Sequence, residues 1–152
     1  LDERVRELDQ EVAAITREHE PVRRLMQING VGPLIASALY ALVGDARQYR
    51  NGRDLAVALG LTPRQHSSGG KEKLLGISKR GDKYVRTLLI HGARSALRTA
   101  PSRTDRISRW ALALAERSHP NVAVTALANK TARVAWAMLR HGANYEPERV
   151  AA

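Results

Sequence analysis

Several residue types that would define a site or a cellular compartment are missing from this 152-residue chain. It has no cysteine, which excludes disulfides, thiolate chemistry and cysteine-based zinc sites. Phenylalanine is also absent and aromatic residues make up only 4% of the chain, so the core must be built from aliphatic side chains and alanine. There is no apolar run of about 18 residues and no visible signal peptide, so we expect no membrane partner.

Acidic residues are in short supply. The chain has 25 Lys and Arg residues against 15 Asp and Glu, a formal net charge of +10. A surface of this sign attracts polyanions, and nucleic acid is the first partner to consider. The alternative is a charge that only keeps a small domain soluble.

The remaining composition favours one helical domain. Alanine, leucine and arginine are frequent and favour helix, while proline and glycine are confined to a few clusters between helical segments. The length suits a single ordinary domain with its own core. We therefore predict an all-α fold of five to seven helices, with a helix-hairpin-helix element and a long basic loop.

The N-terminal segment carries an apolar residue every third or fourth position. These residues form a heptad seam: Leu1, Val5, Leu8, Val12 and Ile15. The pattern predicts an N-terminal helix over 1–20, which is either the end of a coiled-coil connector or a helix that packs on its own domain. Because the chain starts inside this pattern without Met, we expect it to be part of a longer protein. We expect the main helical domain over 21–145 and a tail over 146–152.

A glycine turn lies between two apolar segments, in Ile28-Asn29-Gly30-Val31-Gly32-Pro33. It resembles the turn of a helix-hairpin-helix motif, with Asn29 at the usual proline position. Glycines let the backbone approach a phosphate closely, and free amides at the start of the next helix can bind it. We predict that Gly30, Val31 and Gly32 contact phosphate. The alternative is a tight turn between two packed helices.

Residues 60–78 have no clear period and predict a long loop or a hairpin. From residue 62 to residue 86 there are seven Lys and Arg residues against two acidic residues, and four of the five lysines of the chain lie there. The candidate phosphate ligands of this segment are Arg64, His66, Gly69, Gly70, Lys71, Lys73, Lys79, Arg80, Lys83 and Arg86. The alternative is a solvated basic loop without a ligand.

The same segment offers a nucleophile in the turn Ser67-Ser68-Gly69-Gly70. Glycine lets a phosphodiester approach the hydroxyl closely, and flanking cations can favour a serine alkoxide and stabilise the charge of the transition state. Ser78 is predicted to cap the helix that follows.

The ordered series Leu59-Gly60-Leu61-Thr62-Pro63, Ser68-Gly69 and Ile77-Ser78-Lys79-Arg80-Gly81 resembles the C-terminal, serine-bearing domain of IS110/IS116/IS902 family transposases. The resemblance covers about residues 25–97. It implies that Ser68, or alternatively Ser67, attacks a DNA phosphodiester and forms a phosphoserine link. A free DNA hydroxyl then resolves that link, so the reaction needs no ATP.

The resemblance also implies DNA and a guide RNA from the element as partners, a dimer or tetramer of the full protein, and a location in the bacterial cytoplasm with the nucleoid. It further implies an N-terminal RNase H-like domain whose acidic residues bind Mg²⁺. This chain has neither such an acidic cluster nor the histidine spacing of a metal site, so we expect no cofactor in it. We expect the isolated chain to be inactive in recombination.

Two other functions fit the same residues. One is a non-catalytic helix-hairpin-helix module that binds DNA. The other is an RNA-binding or assembly domain whose basic loop folds on RNA.

Overall fold

The fold is that of a computed structural model, which describes residues 1–68 and 70–149 apart from the side chains of residues 65–68 and 71–75. Its seven α-helices are α1 Asp2–Glu18, α2 Glu20–Leu25, α3 Pro33–Val43, α4 Gly52–Ala58, α5 Lys83–Thr99, α6 Arg106–Arg117 and α7 Pro120–His141. Short 3-10 turns lie at Ala46–Gln48 and Ala100–Ser102. The strands β1 Pro63–Ser68 and β2 Lys71–Ile77 pair as a two-stranded hairpin. The predicted all-α class is confirmed.

Helix α7 is the centre of the domain. It packs against α2, α3, α4, α5 and α6. Its fully buried positions are alanines: Ala123, Ala128, Ala132 and Ala135 are all 0% exposed. Since alanine keeps the helix surface flat, neighbouring helices approach α7 closely, and leucines from those helices complete an aliphatic core. The fold therefore needs few aromatic side chains.

The glycine turn between α2 and α3 packs against α5. A Cβ added to Gly30 would lie less than 3.0 Å from the Gly92 carbonyl oxygen, and one added to Gly92 would lie equally close to the carbonyl oxygen of Gly30. Gly30 also has φ +87, which glycine adopts without strain. These two glycines bring the turn and the helix into backbone contact, so Gly30 is needed for packing whether or not the turn binds phosphate.

The heptad seam of α1 is not buried by this domain. Leu1, Val5, Leu8 and Ile15 are between 44% and 99% exposed, while Thr16 is the buried residue of the helix. Helix α1 packs on α2 and α3 through the side that carries Thr16, and this packing does not cover the seam. A coiled-coil connector stays a prediction for that seam.

Asp105 caps α6 and should make folding stability depend on pH. Burial acts to raise the pKa of this carboxyl, but hydrogen bonds from the Ser108 amide and hydroxyl and the ion pair with Arg103 outweigh burial and lower it. Because the folded pKa lies below the ordinary value of 3.8, this stabilisation is present above about pH 4 and is lost as the pH falls through the lowered pKa.

We expect Asp105→Ala to cost about 1–2 kcal/mol of unfolding free energy at pH 7 and less at pH 2.5, because this stabilisation is lost as the pH falls through the lowered pKa of the carboxyl. Urea unfolding at the two pH values measures this difference. Glu116→Ala is the control, because Glu116 is exposed on the same helix and caps nothing. An equal loss for Asp105→Ala at both pH values would contradict the assignment.

Candidate nucleic-acid interface

Strands β1 and β2 pair antiparallel, so of the loop and the hairpin that the sequence left open, the structure has the hairpin. Ser68 is paired with Lys71 in the register, and Ser67 is paired with Glu72. A register shift between Pro63 and Gln65 marks an irregularity near the entry of β1. The two candidate nucleophiles thus lie at the end of β1 farthest from the helical domain, one opposite a basic and one opposite an acidic residue.

The root of the hairpin is clamped by two close backbone crossings. A Cβ on Gly81 would lie less than 3.0 Å from the Ala58 carbonyl oxygen, and a Cβ on Gly60 would lie equally close to the backbone of Arg80. The Lys79 amide also donates to the Gly60 carbonyl at 3.1 Å. The chain before β1 and the chain after β2 are therefore held against each other.

Two side chains from the helical core hold the same root. Arg86 of α5 is only 8% exposed, and its Nη1 donates to the Leu59 carbonyl at 3.2 Å. Asn129 of α7 donates from Nδ2 to the Leu61 carbonyl at 3.0 Å. Arg86 thus positions the entry of the hairpin, and its predicted contact with phosphate stays a prediction.

The residues between β2 and α5 show that the predicted helix cap is wrong. Ser78 does not cap α5: the cap is Asp82, whose carboxylate accepts from the Val85 amide at 2.8 Å. The backbone turns through positive φ at Lys79 (φ 56) and again at Gly81 (φ 106), so helical hydrogen bonding can begin only after Gly81. A left-handed lysine is uncommon, and the crossing with Gly60 holds it there.

Exposed cations surround this root and continue along α5. Arg64, Lys79, Arg80 and Lys83 are exposed. From Lys83 onward, exposed residues recur at spacings of 4, 4, 3 and 4, which places them on one side of the helix. We call this side the α5 basic face; it consists of Lys83, Thr87, His91, Arg94 and Arg98.

The α5 basic face has the properties of a surface for a polyanion. Helix α5 contains no Asp or Glu, and no described ion pair involves Arg94 or Arg98. At a rise of about 1.5 Å per residue the face is about 22 Å long. The sequence already offered Arg94 and Arg98 as an extension of the basic surface without a role for either residue alone, and their spacing from Lys83 places both on this face.

The glycine turn packs against α5 farther along the helix, at Gly92 and Ala96. Val31 is 6% exposed and its amide already donates to the Ile28 carbonyl at 3.0 Å, whereas Gly32 has open space where a Cβ would stand. Gly92, which touches this turn, is about 9 Å along the helix from Arg86. The turn and the hairpin root are therefore separate points on α5, and phosphate contact by the turn stays a prediction.

The other site predictions fall outside the described side chains. These are His66, Ser67, Ser68, Gly69, Lys71 and Lys73; Gly70 is described and has φ +79. In the described part of the chain, no three His, Cys, Asp or Glu side chains group as metal ligands would. No described helix combines the length and apolarity that crossing a membrane requires.

Known proteins resemble this chain along almost its whole length. The profile of the "Transposase IS116/IS110/IS902 family" matches residues 22–108. A probable family 20 transposase of Pseudomonas aeruginosa is 49% identical over 97% of this chain and 44% of its own length. The transposase for insertion sequence element IS1111A of Coxiella burnetii is 49% identical over 95% of this chain and 40% of its own length.

A more distant relative shows the same coverage. The insertion element IS116 uncharacterized 44.8 kDa protein of Streptomyces clavuligerus is 28% identical over 97% of this chain and 36% of its own length. The chain thus spans roughly two fifths of the length of these relatives. With the family profile matched over more than half of its residues, the chain belongs to the IS116/IS110/IS902 family of transposases.

Proposed function

We propose that this domain supplies the serine nucleophile of a DNA transposase, and that Ser68 is that serine. One observation carries the proposal: the hairpin presents Ser68 opposite Lys71 in its register, at the end away from a root that glycine crossings, Arg86 and Asn129 hold in place. Residues opposite each other across an antiparallel pair are neighbours. A basic neighbour suits a hydroxyl that must meet a phosphodiester, whereas Ser67 is paired with Glu72.

The proposed step is a transesterification. The Ser68 hydroxyl oxygen bonds to phosphorus, and one phosphorus–oxygen bond of the DNA backbone breaks. The proton lost by the serine is balanced by the proton gained by the leaving deoxyribose oxygen. A second DNA hydroxyl later attacks the phosphoserine and restores the free serine, so the number of phosphodiester bonds is unchanged.

The cations at the root contribute to this chemistry in two ways. Arg64, Lys79, Arg80 and Lys83 attract the DNA backbone and fix its position by contacts that do not depend on base sequence. Cations close to the reacting phosphate would also stabilise the charge that develops on its oxygens. By their places in β2, Lys71 and Lys73 are the candidates for this second role.

Other features of the whole protein are proposals that reach beyond this chain. A guide RNA, a dimer or tetramer, and an Mg²⁺-binding N-terminal domain are all implied by the resemblance. The described residues do not group into a metal-ligand set, so no step in this domain is assigned to the metal. We propose accordingly that this domain alone does not recombine DNA.

Covalent trapping tests the proposal. A full-length transposase carrying this chain is incubated with its RNA, Mg²⁺ and a nicked DNA substrate, and the protein–DNA adduct is digested and mapped by mass spectrometry. The expected result is a deoxynucleotide attached to Ser68. Attachment at Ser67 would shift the nucleophile by one residue and keep the mechanism. Strand exchange with no adduct would contradict the serine mechanism. The remaining function would then be nucleic-acid binding, which the α5 basic face supports without any role for the hydroxyl.

The α5 basic face should contribute to DNA affinity in a salt-dependent way. We expect Arg94→Ala combined with Arg98→Ala to reduce the slope of log affinity against log salt by about 1–2, because up to two phosphate contacts are lost. Fluorescence anisotropy with labelled duplex DNA at several salt concentrations measures the slope. Arg47→Ala is the control, because Arg47 is an exposed arginine already paired with Asp45 at 2.8 Å. An unchanged slope in the double variant would show that this face does not contact the DNA backbone.

A further inference from the structure

A groove of about 660 Å³ lies on the domain apart from the hairpin. One wall is α7 from Lys130 to His141, the second is the start of α4, and the third is the tail from Ala143 to Arg149. Its volume is in the range of pockets that hold small ligands. Its described lining includes no residue of the hairpin or of the glycine turn.

Basic side chains line the groove. Arg53 is exposed and Arg133 is half-buried, and neither takes part in a described ion pair. Glu146 is the one carboxylate among the described residues of the lining, and it is already paired with Arg149 at 3.5 Å. Arg53, Lys130 and Arg133 therefore give the described lining an excess of positive charge.

A fixed aromatic ring forms part of the same wall. The Trp136 indole donates from Nε1 to the Ala46 carbonyl at 2.9 Å, which sets the orientation of the ring. The His141 ring lies edge-on to it, with centroids 6.1 Å apart. Trp136 is half-buried, so part of the indole remains available to a ligand in the groove.

The walls are held rigidly where the cations lie. A Cβ added to Gly52 would meet the Arg133 Cα at 2.9 Å, so the start of α4 rests directly on the α7 backbone. Arg53 follows Gly52 in the chain and lines the groove from α4, while Arg133 lines it from α7. Arg53, Arg133 and Trp136 therefore line one and the same groove.

We propose that this groove binds an unpaired nucleotide of DNA, with the base against Trp136 and its phosphate between Arg53 and Arg133. Stacking on an aromatic ring beside cations is the usual chemistry of single-strand binding and tolerates any base. A duplex about 20 Å across does not fit a groove of this volume, whereas a flipped or frayed nucleotide does. DNA is the expected source because the family acts on DNA.

The groove is linked to the hairpin root by α7 itself. Asn129, which holds the Leu61 carbonyl, precedes Arg133 by one helical turn, about 6 Å. A strand bound at the hairpin could thus place a neighbouring unpaired nucleotide in the groove. The proposal stands independently of the serine chemistry, since it requires only binding.

Tryptophan fluorescence tests it. In Trp110→Phe, Trp136 is the only tryptophan left, and its emission is followed while oligothymidylate of about 12 nucleotides is added. We expect saturable quenching of Trp136. In Arg53→Glu combined with Arg133→Glu, the dissociation constant obtained from the quenching should rise about tenfold or more. The matched control is Arg6→Glu combined with Arg17→Glu, which reverses the same charge at two exposed positions of α1 outside the groove and should leave the quenching affinity unchanged.

The outcomes are separated by measuring total binding in parallel, as anisotropy of the labelled oligonucleotide. Saturated binding without quenching of Trp136 would overturn the proposal, as would quenching that survives the double reversal at Arg53 and Arg133. Quenching by oligouridylate alone would assign the groove to RNA and overturn the choice of DNA. The same quenching in Ser68→Ala is expected, which keeps this test distinct from the nucleophile test.

If Trp110→Phe does not fold, cross-linking replaces fluorescence. The unsubstituted chain is irradiated with an oligonucleotide containing 5-iododeoxyuridine, and the cross-linked peptides are mapped. Cross-links to the α7 segment around Trp136 are expected. Cross-links found only in residues 60–98 would overturn the proposal.

Discussion

Replacing Ser68 by alanine is expected to lower strand exchange by the full-length transposase about 10³-fold or more, because the covalent intermediate can no longer form. DNA affinity should stay within about twofold, since the hydroxyl adds no charge and phosphate contacts dominate affinity. Single-turnover strand exchange and anisotropy titration of the same preparations measure the two quantities. The expected signature is therefore a loss of rate without a loss of binding.

Ser67→Ala is the matched control for this substitution. It removes the same atom one residue earlier in β1, at the position paired with Glu72 instead of Lys71. We expect Ser67→Ala to retain strand exchange within about tenfold. The opposite pattern, with Ser67→Ala inactive and Ser68→Ala active, would move the nucleophile. Full activity in both variants would remove the serine mechanism.

Gly81→Ala is expected to destabilise the domain by about 4 kcal/mol or more, which is exceptional for the addition of one methyl group. Two causes combine. Alanine is strained at φ +106, and its Cβ would meet the Ala58 carbonyl oxygen at less than 3.0 Å, where only backbone movement can relieve the clash. The crossing that clamps the hairpin root would have to open.

Gly44→Ala separates the two causes. Gly44 also has positive φ (+55), but nothing lies within 4 Å of the Cβ that the substitution would add. We expect it to cost about 1–2 kcal/mol from the backbone alone. Urea unfolding followed by circular dichroism measures both variants, and the difference between them reports the steric part. Equal losses would show that the crossing of Gly81 over Ala58 is not tight.

Sequence patterns predicted the helical elements well, because the periodicity of buried residues along a helix is a local property. Apolar and small residues from Val85 to Ala96 repeat with the helical period and form the buried side of α5, Pro33 is the first residue of α3, and Gly142 ends α7 in a left-handed conformation. The cap at Ser78 was wrong, because the positive φ at Lys79 and Gly81 depends on the crossing with α4, which lies some twenty residues earlier in the chain.

Some features of the candidate site were likewise predictable from the sequence, and others were not. Its basic character, its Ser-Ser-Gly-Gly turn and its family were all visible in the order of residues, since these are matters of residue type and spacing. The role of Arg86 was not, because whether an arginine faces solvent or donates to the Leu59 carbonyl is decided by packing. The groove at Trp136 was invisible for the same reason: Arg53 and Arg133 are eighty residues apart and meet only because α4 rests on α7.

The sequence by itself thus determined the helical class, the excess of positive charge and the identity of the residues offered to a phosphodiester. Only the tertiary structure decided which of those residues hold the hairpin and which remain free for nucleic acid. The physical reason is that charge and periodicity are properties of neighbours in the chain, whereas burial and a partner for each donor come from residues brought together by folding.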